Sequence, residues 1–239
     1  MGTCDTIFVL NTVITHFINT NKKLYCAFID FSTAFDHIVH QHIWYKLIRL
    51  GIRGKRFSVI QSIYESVKSR VKMQNRVGNE FDCLLGVRQG ESLSPFLYSM
   101  YINDLENELC TKGFKGIDIT LMKMFLIMYA DDIIIMAETP EDLQLGLNIL
   151  EQYCNKWKLK LNKTKTKIIV FRKGGLLPRN LKFYYDNTEL EIVSSFTYLG
   201  IVFTSGGSFS TAQKTLAGQA QQAVYKLKRH LLKFLLAIL

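Results

Sequence analysis

Tyr129-Ala130-Asp131-Asp132 places two adjacent carboxylates inside an apolar run that extends from Phe125 to Met136. Burying ionised carboxylates there is costly unless a turn exposes them or a cation pairs with them. A third carboxylate, Asp30, ends the strand-like run Leu24–Ile29. Each feature has an ordinary explanation when taken singly. Asp is common in turns because its side chain hydrogen-bonds nearby backbone, and an Asp after a strand caps a helix as readily as it binds a metal. Ser32 and Thr33 offer alternative caps for the helix expected next, which leaves Asp30 for other work. Three carboxylates converging on one point repel one another. Hard divalent cations relieve that repulsion, and Mg²⁺ prefers one or two carboxylates together with phosphate oxygens. Two such ions about 3.5–4 Å apart activate an attacking hydroxyl and stabilise a leaving pyrophosphate.

The elements that must position these residues follow from local pattern. The β-branched and aromatic flanks of the Asp pair predict two strands with the acids at a hairpin tip. Ile7, Leu10, Ile14, Phe17 and Ile18 recur at three- and four-residue steps and predict a helix over residues 5–18. A strand to Asp30 follows, then a helix from about Thr33 to Leu50 stopped near Gly51, and another over Lys55–Val67. Val71–Phe81 reads as two strands turning at Gly78-Asn79, and Pro95 starts a helix over Phe96–Glu108. Thr139-Pro140-Glu141-Asp142 is a helix start with cap, first-turn Pro and acids at the positive dipole end. Leu143, Leu147, Leu150, Cys154 and Trp157 form its apolar stripe. Residues 168–171 and 183–185 read as strands. This order predicts an antiparallel sheet backed by helices, an α+β arrangement.

The net charge of +10 is unevenly placed: residues 1–149 carry 15 Lys/Arg against 16 Asp/Glu, and residues 150–239 carry 15 against 4. A basic half following the acidic hairpin suits a surface that tracks a phosphate backbone, with salt-sensitive binding. The 48% apolar content is enough for a core. Five scattered cysteines without a C-x-x-C pair point to a reducing, intracellular setting rather than secretion, and leave nucleus and cytoplasm undistinguished. His37, His40 and His42 lie close together, but without partnering cysteines they do not read as a zinc site. The apolar tail Leu231–Leu239 is too short to span a bilayer, which takes about 20 residues.

Between the acidic motifs lies Gly86-Val87-Arg88-Gln89-Gly90-Glu91-Ser92-Leu93-Ser94-Pro95. With this segment the chain resembles the reverse transcriptases of non-LTR (LINE-type) retrotransposons. Phe28–Asp36 is similar to their first palm motif, Arg88-Gln89-Gly90 with Ser94-Pro95 to the second, and Tyr129–Asp132 to the third. Leu159–Thr166 is similar to the fourth and Phe196-Thr197-Tyr198-Leu199-Gly200 to the fifth. The resemblance implies a right-hand polymerase palm with partial fingers and a partial thumb: palm and fingers over 1–205, thumb-like helix over 206–239. It implies an RNA-directed DNA polymerase acting on an RNA template, a DNA primer and dNTPs, with no membrane. Asp30, Asp131 and Asp132, assisted by the Phe31 carbonyl, would hold two Mg²⁺ ions, with Mn²⁺ able to substitute. Phe35 would pack under the incoming sugar and disfavour a 2′-OH. Arg88, Gln89 and Gly90 would meet the nucleotide or template, and Lys165 the triphosphate.

Set beside that family, the sequence resembles a palm with partial fingers and a clipped thumb, and the resemblance implies that the strands ahead of the first helix, an endonuclease segment and most of the thumb would be missing from it. These departures predict weak or non-processive synthesis, and at the limit an impaired remnant that only binds nucleic acid. An RNA-directed RNA polymerase shares the two-metal logic, but Phe35 and the Tyr-Ala-Asp-Asp form count against it. A group II intron maturase is a close cousin that the motifs do not separate.

Overall fold

The computed structural model describes residues 2–32, 34–65, 67–74, 76–88, 90–119 and 122–238, with side chains as far as Arg229. Helix α1 (Thr3–Asn19) buries Leu10, Val13, Ile14 and Phe17 on one stripe. Asp5 accepts the Gly2 N–H at 2.8 Å, a carboxylate placed at the positive end of the helix. Strand β1 (Leu24–Ile29) is buried along its whole length, which requires cover on both faces.

The chain after β1 departs from the expected long helix. Residues 34–39 form turns, and helix α2 begins only at His40 (His40–Arg49), with Val39 as its N-cap and no side-chain cap. The physical reason lies in pairing with a distant segment. Val39 bridges Leu85, Gly86 N–H donates to Ile38 C=O at 2.8 Å, and Val87 N–H donates to Phe35 C=O at 2.8 Å. Backbone groups committed to that ladder cannot also close helical turns. Ser32 therefore does not cap a helix, and Thr33 lies outside the described residues.

Helix α3 (Gly54–Glu65) precedes a narrow ribbon: β2 (Lys68–Ser69), β3 (Lys72–Met73), β4 (Arg76–Val77) and β5 (Phe81–Asp82). The ribbon turns at Gln74, which has φ +52°, and not at Gly78-Asn79. Gly78 instead donates its N–H to Val71 C=O at 2.8 Å, prolonging the β3–β4 pairing. Helix α4 (Leu93–Ile102) carries Pro95 in its first turn, and α5 (Leu105–Thr111) is a separate helix. The single helix expected over 96–108 breaks at Asn103-Asp104. The Tyr101 carbonyl there accepts from the Lys46 ammonium at 2.6 Å and from the Tyr153 hydroxyl at 3.2 Å.

Strands β6 (Ile117–Ile119) and β7 (Met122–Met124) form a small hairpin ahead of β8 (Leu126–Tyr129) and β9 (Asp132–Ala137). Helix α6 (Pro140–Trp157) starts as its sequence predicts, with the Thr139 hydroxyl accepting the Asp142 N–H at 3.2 Å. Strands β10 (Lys167–Phe171), β11 (Phe183–Tyr185), β12 (Thr188–Ile192), β13 (Ser195–Tyr198) and β14 (Ile201–Thr204) lead into one long helix, α7 (Ser210–Ile238).

Six strands make the central sheet in the order β11-β12-β10-β1-β9-β8. Only β10 and β12 run parallel; the other neighbours are antiparallel. One face packs on α2, α4, α5 and α6 through Ala27, Ile29, Ile133, Ile135 and the stripe Leu143, Leu147, Leu150, Cys154 and Trp157. The other face packs on α1 and the β13–β14 hairpin through Cys26, Phe28, Ile134 and Met136. The two covers together explain why β1 and β9 are almost continuously apolar.

The helical layer is tied together by one cation. Lys46 of α2 is buried, and its ammonium donates to Tyr101 C=O, to the Tyr153 hydroxyl at 2.9 Å and to Asp104. The same ammonium stands 3.8 Å from the centroid of Trp157. Burial lowers its pKa to about 8, the opposing pull of Asp104 being the smaller effect.

Candidate active site

The acidic pair sits on the tightest kind of hairpin. Tyr129 pairs with Asp132, leaving Ala130 and Asp131 as a two-residue turn. Ala130 has φ +53°, a left-handed value that a β-carbon disfavours by about 1–2 kcal/mol. Such strain is tolerated where the surrounding structure over-determines the turn. Here β8 and β9 are both locked into the sheet.

Register brings the third acid to the same place. Ile29 of β1 pairs with Ile133 of β9, so the next antiparallel step sets Asp30 opposite Asp132. Side chains alternate along a strand, so Cys26, Phe28 and Asp30 share one face with Met136, Ile134 and Asp132. The Asp30 backbone is held from the opposite side. Its N–H donates to the Thr166 hydroxyl at 3.2 Å, and its C=O accepts the Asn162 N–H at 2.8 Å. Ser32 N–H donates to Lys160 C=O at 2.7 Å. These bonds flank the Phe31–Leu161 bridge. In that pattern the bridged residues point their own backbone groups outward, so the Phe31 carbonyl faces away from Leu161, toward the β9 side.

Asp132 responds to its surroundings and to the other two acids. Burial raises the Asp132 pKa above the usual carboxylate range, and the charges of Asp131 and then Asp30 raise it further. Among the described residues no group donates a hydrogen bond or an ion pair to any of the three carboxylates. Among the described residues, too, no group of three or more His, Cys, Asp or Glu side chains is arranged to hold a metal ion as it stands. Unneutralised carboxylates at adjacent strand ends repel rather than close into a cage. Their chemistry nevertheless suits a hard divalent cation, since they are hard oxygen donors and among the described residues no protein cation pairs with them.

The second motif borders Phe35 of the first. Phe35 is half-buried, with its ring 4.9 Å from that of Tyr98, and it lines an open pocket with Gly90, Ser94 and Pro95. Gly90 has φ +85° and open space where a β-carbon would stand, so its backbone is accessible. Gly86 is constrained in the other sense: a β-carbon there would lie 2.8 Å from Asp36 C=O. Arg88 turns back onto the protein, donating to Glu91 at 2.7 Å and to Ile63 C=O at 3.2 Å. Gln89 lies outside the described residues.

The lysine-rich fourth motif resolves into separate roles. Lys163 pairs with Asp186 at 2.6 Å and Lys167 with Glu191 at 2.5 Å, while Lys165 is exposed and pairs with no described acid. The contacts of this loop with Asp30 run through Asn162 and Thr166, which the sequence reading passed over. The Asn162 side chain accepts the N–H groups of Thr164 and Lys165, both at 3.2 Å. That turn is legible as Asn followed two residues later by Thr. His40 meets Gly86 C=O at 2.6 Å and His42 the Tyr101 hydroxyl at 3.2 Å. Among the described residues, no helix is long and apolar enough to cross a membrane.

Comparison with known proteins agrees with this arrangement. The family model "Reverse transcriptase (RNA-dependent DNA polymerase)" matches residues 3–203. A Pol polyprotein of the type-1 retrotransposable element R2 from Nasonia vitripennis is 26% identical over 229 residues, covering 92% of this chain and 22% of that protein. The probable RNA-directed DNA polymerase from transposon BS of Drosophila melanogaster is 29% identical over 216 residues, covering 87% and 23%. The chain thus spans about a fifth of the length of these relatives. Among solved structures, apo telomerase from Candida tropicalis superposes with a TM-score of 0.59 at 16% identity, over 86% of this chain and 39% of that one, which shows a shared palm fold. The chain belongs to the reverse transcriptase (RNA-dependent DNA polymerase) family, in the company of the non-LTR retrotransposon polymerases.

Proposed function

We propose that this chain carries out RNA-directed DNA synthesis, transferring a nucleotide from a dNTP to the 3′-hydroxyl of a primer. The observation that supports this best is the register that carries Asp30 and Asp132 one step beyond the Ile29–Ile133 pair, with Asp131 on the adjoining turn, three carboxylates to which no described residue donates. They would hold two divalent cations, Mg²⁺ by preference and Mn²⁺ as a substitute, with the outward Phe31 carbonyl as a further oxygen. When bound, such cations polarise the attacking hydroxyl and stabilise the leaving pyrophosphate. The remaining residues position the reactants. Phe35, backed by Tyr98, offers an apolar ring under the sugar and crowds a 2′-OH. Gly90, with Arg88 and Gln89, borders the nucleotide and template side, and the unpaired Lys165 supplies positive charge toward the triphosphate. Residues 1–205 act as the palm with its adjoining fingers elements. Residues 206–239, mostly helix α7, act as a thumb-like arm. Within the basic half, residues 150–239, the chain follows the phosphate backbone of an RNA template and DNA primer.

Primer extension on poly(rA)/oligo(dT) with Mg²⁺, beside an Asp131→Asn/Asp132→Asn variant, tests the proposal. Extension by the native chain and its loss in the variant is the expected result. Equal extension by both would overturn the assignment of the acids. A folded chain that binds template-primer without extending it would leave nucleic-acid binding alone.

A further inference from the structure

Among the described residues, two of the three buried side-chain polar atoms without a hydrogen-bond partner are tyrosyl hydroxyls, those of Tyr98 and Tyr198. Buried hydroxyls left unpaired are rare, and each needs an explanation. Tyr198 packs on the face of the sheet that carries Phe28 and Ile134, whereas Tyr98, whose phenol feels burial first and then Asp131 and Asp132, packs on the other. The Tyr198 ring is 3% exposed and packs edge-on to Phe28, the centroids 5.7 Å apart. Phe28 precedes Asp30 by one alternation on the same face of β1, and Asp132 stands across from Asp30. Tyr198 therefore lies over the row of side chains that ends in the two acids. Burial and the Asp132 charge both act on its phenol, in that order, so Asp132 is within electrostatic reach.

The backbone holds Tyr198 firmly at this point. It pairs with Ile201 across a two-residue turn in which Leu199 (φ +47°) and Gly200 (φ +81°) are both left-handed, the signature of a type I′ hairpin. A left-handed leucine is an unfavourable choice for a turn whose only task is to reverse the chain. The turn ends β13 so that Tyr198 lies in the cluster covering the Phe28 and Ile134 face of the sheet.

We infer that Tyr198 is a positioning residue of the candidate site: its hydroxyl is the donor that orients the Asp132 carboxylate for a divalent cation. A ring that only filled the core would have no use for the hydroxyl, and phenylalanine would fill the same space. An unpaired buried hydroxyl is a liability to the fold. Paired to a carboxylate that binds a cation, it does what partners of metal ligands do elsewhere, fixing the ligand's direction. The inference rests on the reading of Asp132 as a cation ligand.

The test is a Mn²⁺ titration of the full chain, followed by the EPR signal of free Mn²⁺, with a thermal melt in chelator. Tyr198→Phe should weaken Mn²⁺ binding about tenfold, while its metal-free melting temperature stays level or rises, because an unpaired buried hydroxyl has been removed. Unchanged Mn²⁺ binding would overturn the inference. So would weaker binding accompanied by a lower metal-free melting temperature, which marks a structural role. Asp132→Asn is titrated alongside. If it weakens Mn²⁺ binding and Tyr198→Phe does not, the tyrosine's role alone fails. If Asp132→Asn has no effect either, the assignment of the acidic site fails with it.

Discussion

Lys46→Met separates the two opposing effects on a buried charge. Removing one partner of a buried ion pair usually costs about 3–5 kcal/mol, because the other charge is left stranded. Here the partner is not stranded: the Asp104 side chain is 44% exposed and keeps the Tyr153 hydroxyl at 2.6 Å. The Tyr101 carbonyl lies 3.2 Å from the same hydroxyl and shares its single proton with Asp104. At neutral pH the variant should therefore match the native chain within about 1 kcal/mol, as for apolar replacement of other buried pairs. The pH dependence is the sharper observable. The Lys46 pKa falls from 10.5 in the unfolded chain to about 8 in the fold. Between those values the unfolded state binds more protons, so stability contributed through Lys46 rises with pH. The penalty for its charge is fully present below the folded pKa and is relieved above it. Integrated from about pH 7 to about pH 9.5, the gain is about 2 kcal/mol.

Other groups act in the opposite direction over part of this range. Burial raises the thiol pKa of Cys26 and lifts that of Cys154 to about 12, and it also raises the phenols of Tyr98, Tyr101, Tyr153 and Tyr185. Their effects are common to both proteins to the extent that they are independent of Lys46, and largely cancel in the difference. Urea unfolding of both proteins at several pH values should show native stability minus variant stability growing by about 2 kcal/mol across that span. A flat difference would refute the account of Lys46 as a desolvated cation. A difference that shrinks with pH would mean that Asp104, and not burial, dominates.

Thr139→Ala removes the hydroxyl that caps α6 and should cost about 1 kcal/mol in urea unfolding. Gly86→Ala meets both a left-handed φ of +83° and the Asp36 carbonyl at 2.8 Å, so it should cost about 2 kcal/mol or more and lower the melting temperature. Phe35→Ala opens the pocket between Tyr98 and Gly90; ribonucleotide incorporation relative to deoxynucleotide should rise about tenfold or more in single-nucleotide extension, and an unchanged ratio would remove Phe35 from sugar discrimination.

Much of this protein was legible in local pattern. The Thr139–Asp142 start of α6 and its buried stripe follow from capping and a 3.6-residue period, both decided within a few residues of chain. The acidic hairpin is legible for the same reason, because two β-branched runs flank a two-residue turn. The five ordered motifs pointed to the family before any contact was known. What local pattern misjudged were segments whose backbone is claimed from far away. Residues 34–39 carry helix-compatible sequence, yet Leu85, Gly86 and Val87 take their hydrogen bonds. The helix expected over 96–108 breaks where Lys46, more than fifty residues earlier, reaches the Tyr101 carbonyl. Propensity yields there because a long-range hydrogen bond in a dry interior outweighs a few tenths of a kcal/mol of local preference.

The site divides along the same line. Which residues are acidic is written in the chain; that Asp30 stands opposite Asp132 is a matter of strand register, which only the packed sheet decides. The lysines in and just after the fourth motif look alike in sequence, and tertiary pairing distinguishes Lys163 and Lys167, which meet Asp186 and Glu191, from Lys165, which pairs with no described acid. Tyr198 reads as one aromatic among many until the fold buries its hydroxyl without a partner beside the acids. Residue type and short-range period set which groups are available, and burial and register, which depend on the whole chain at once, set which of them meet.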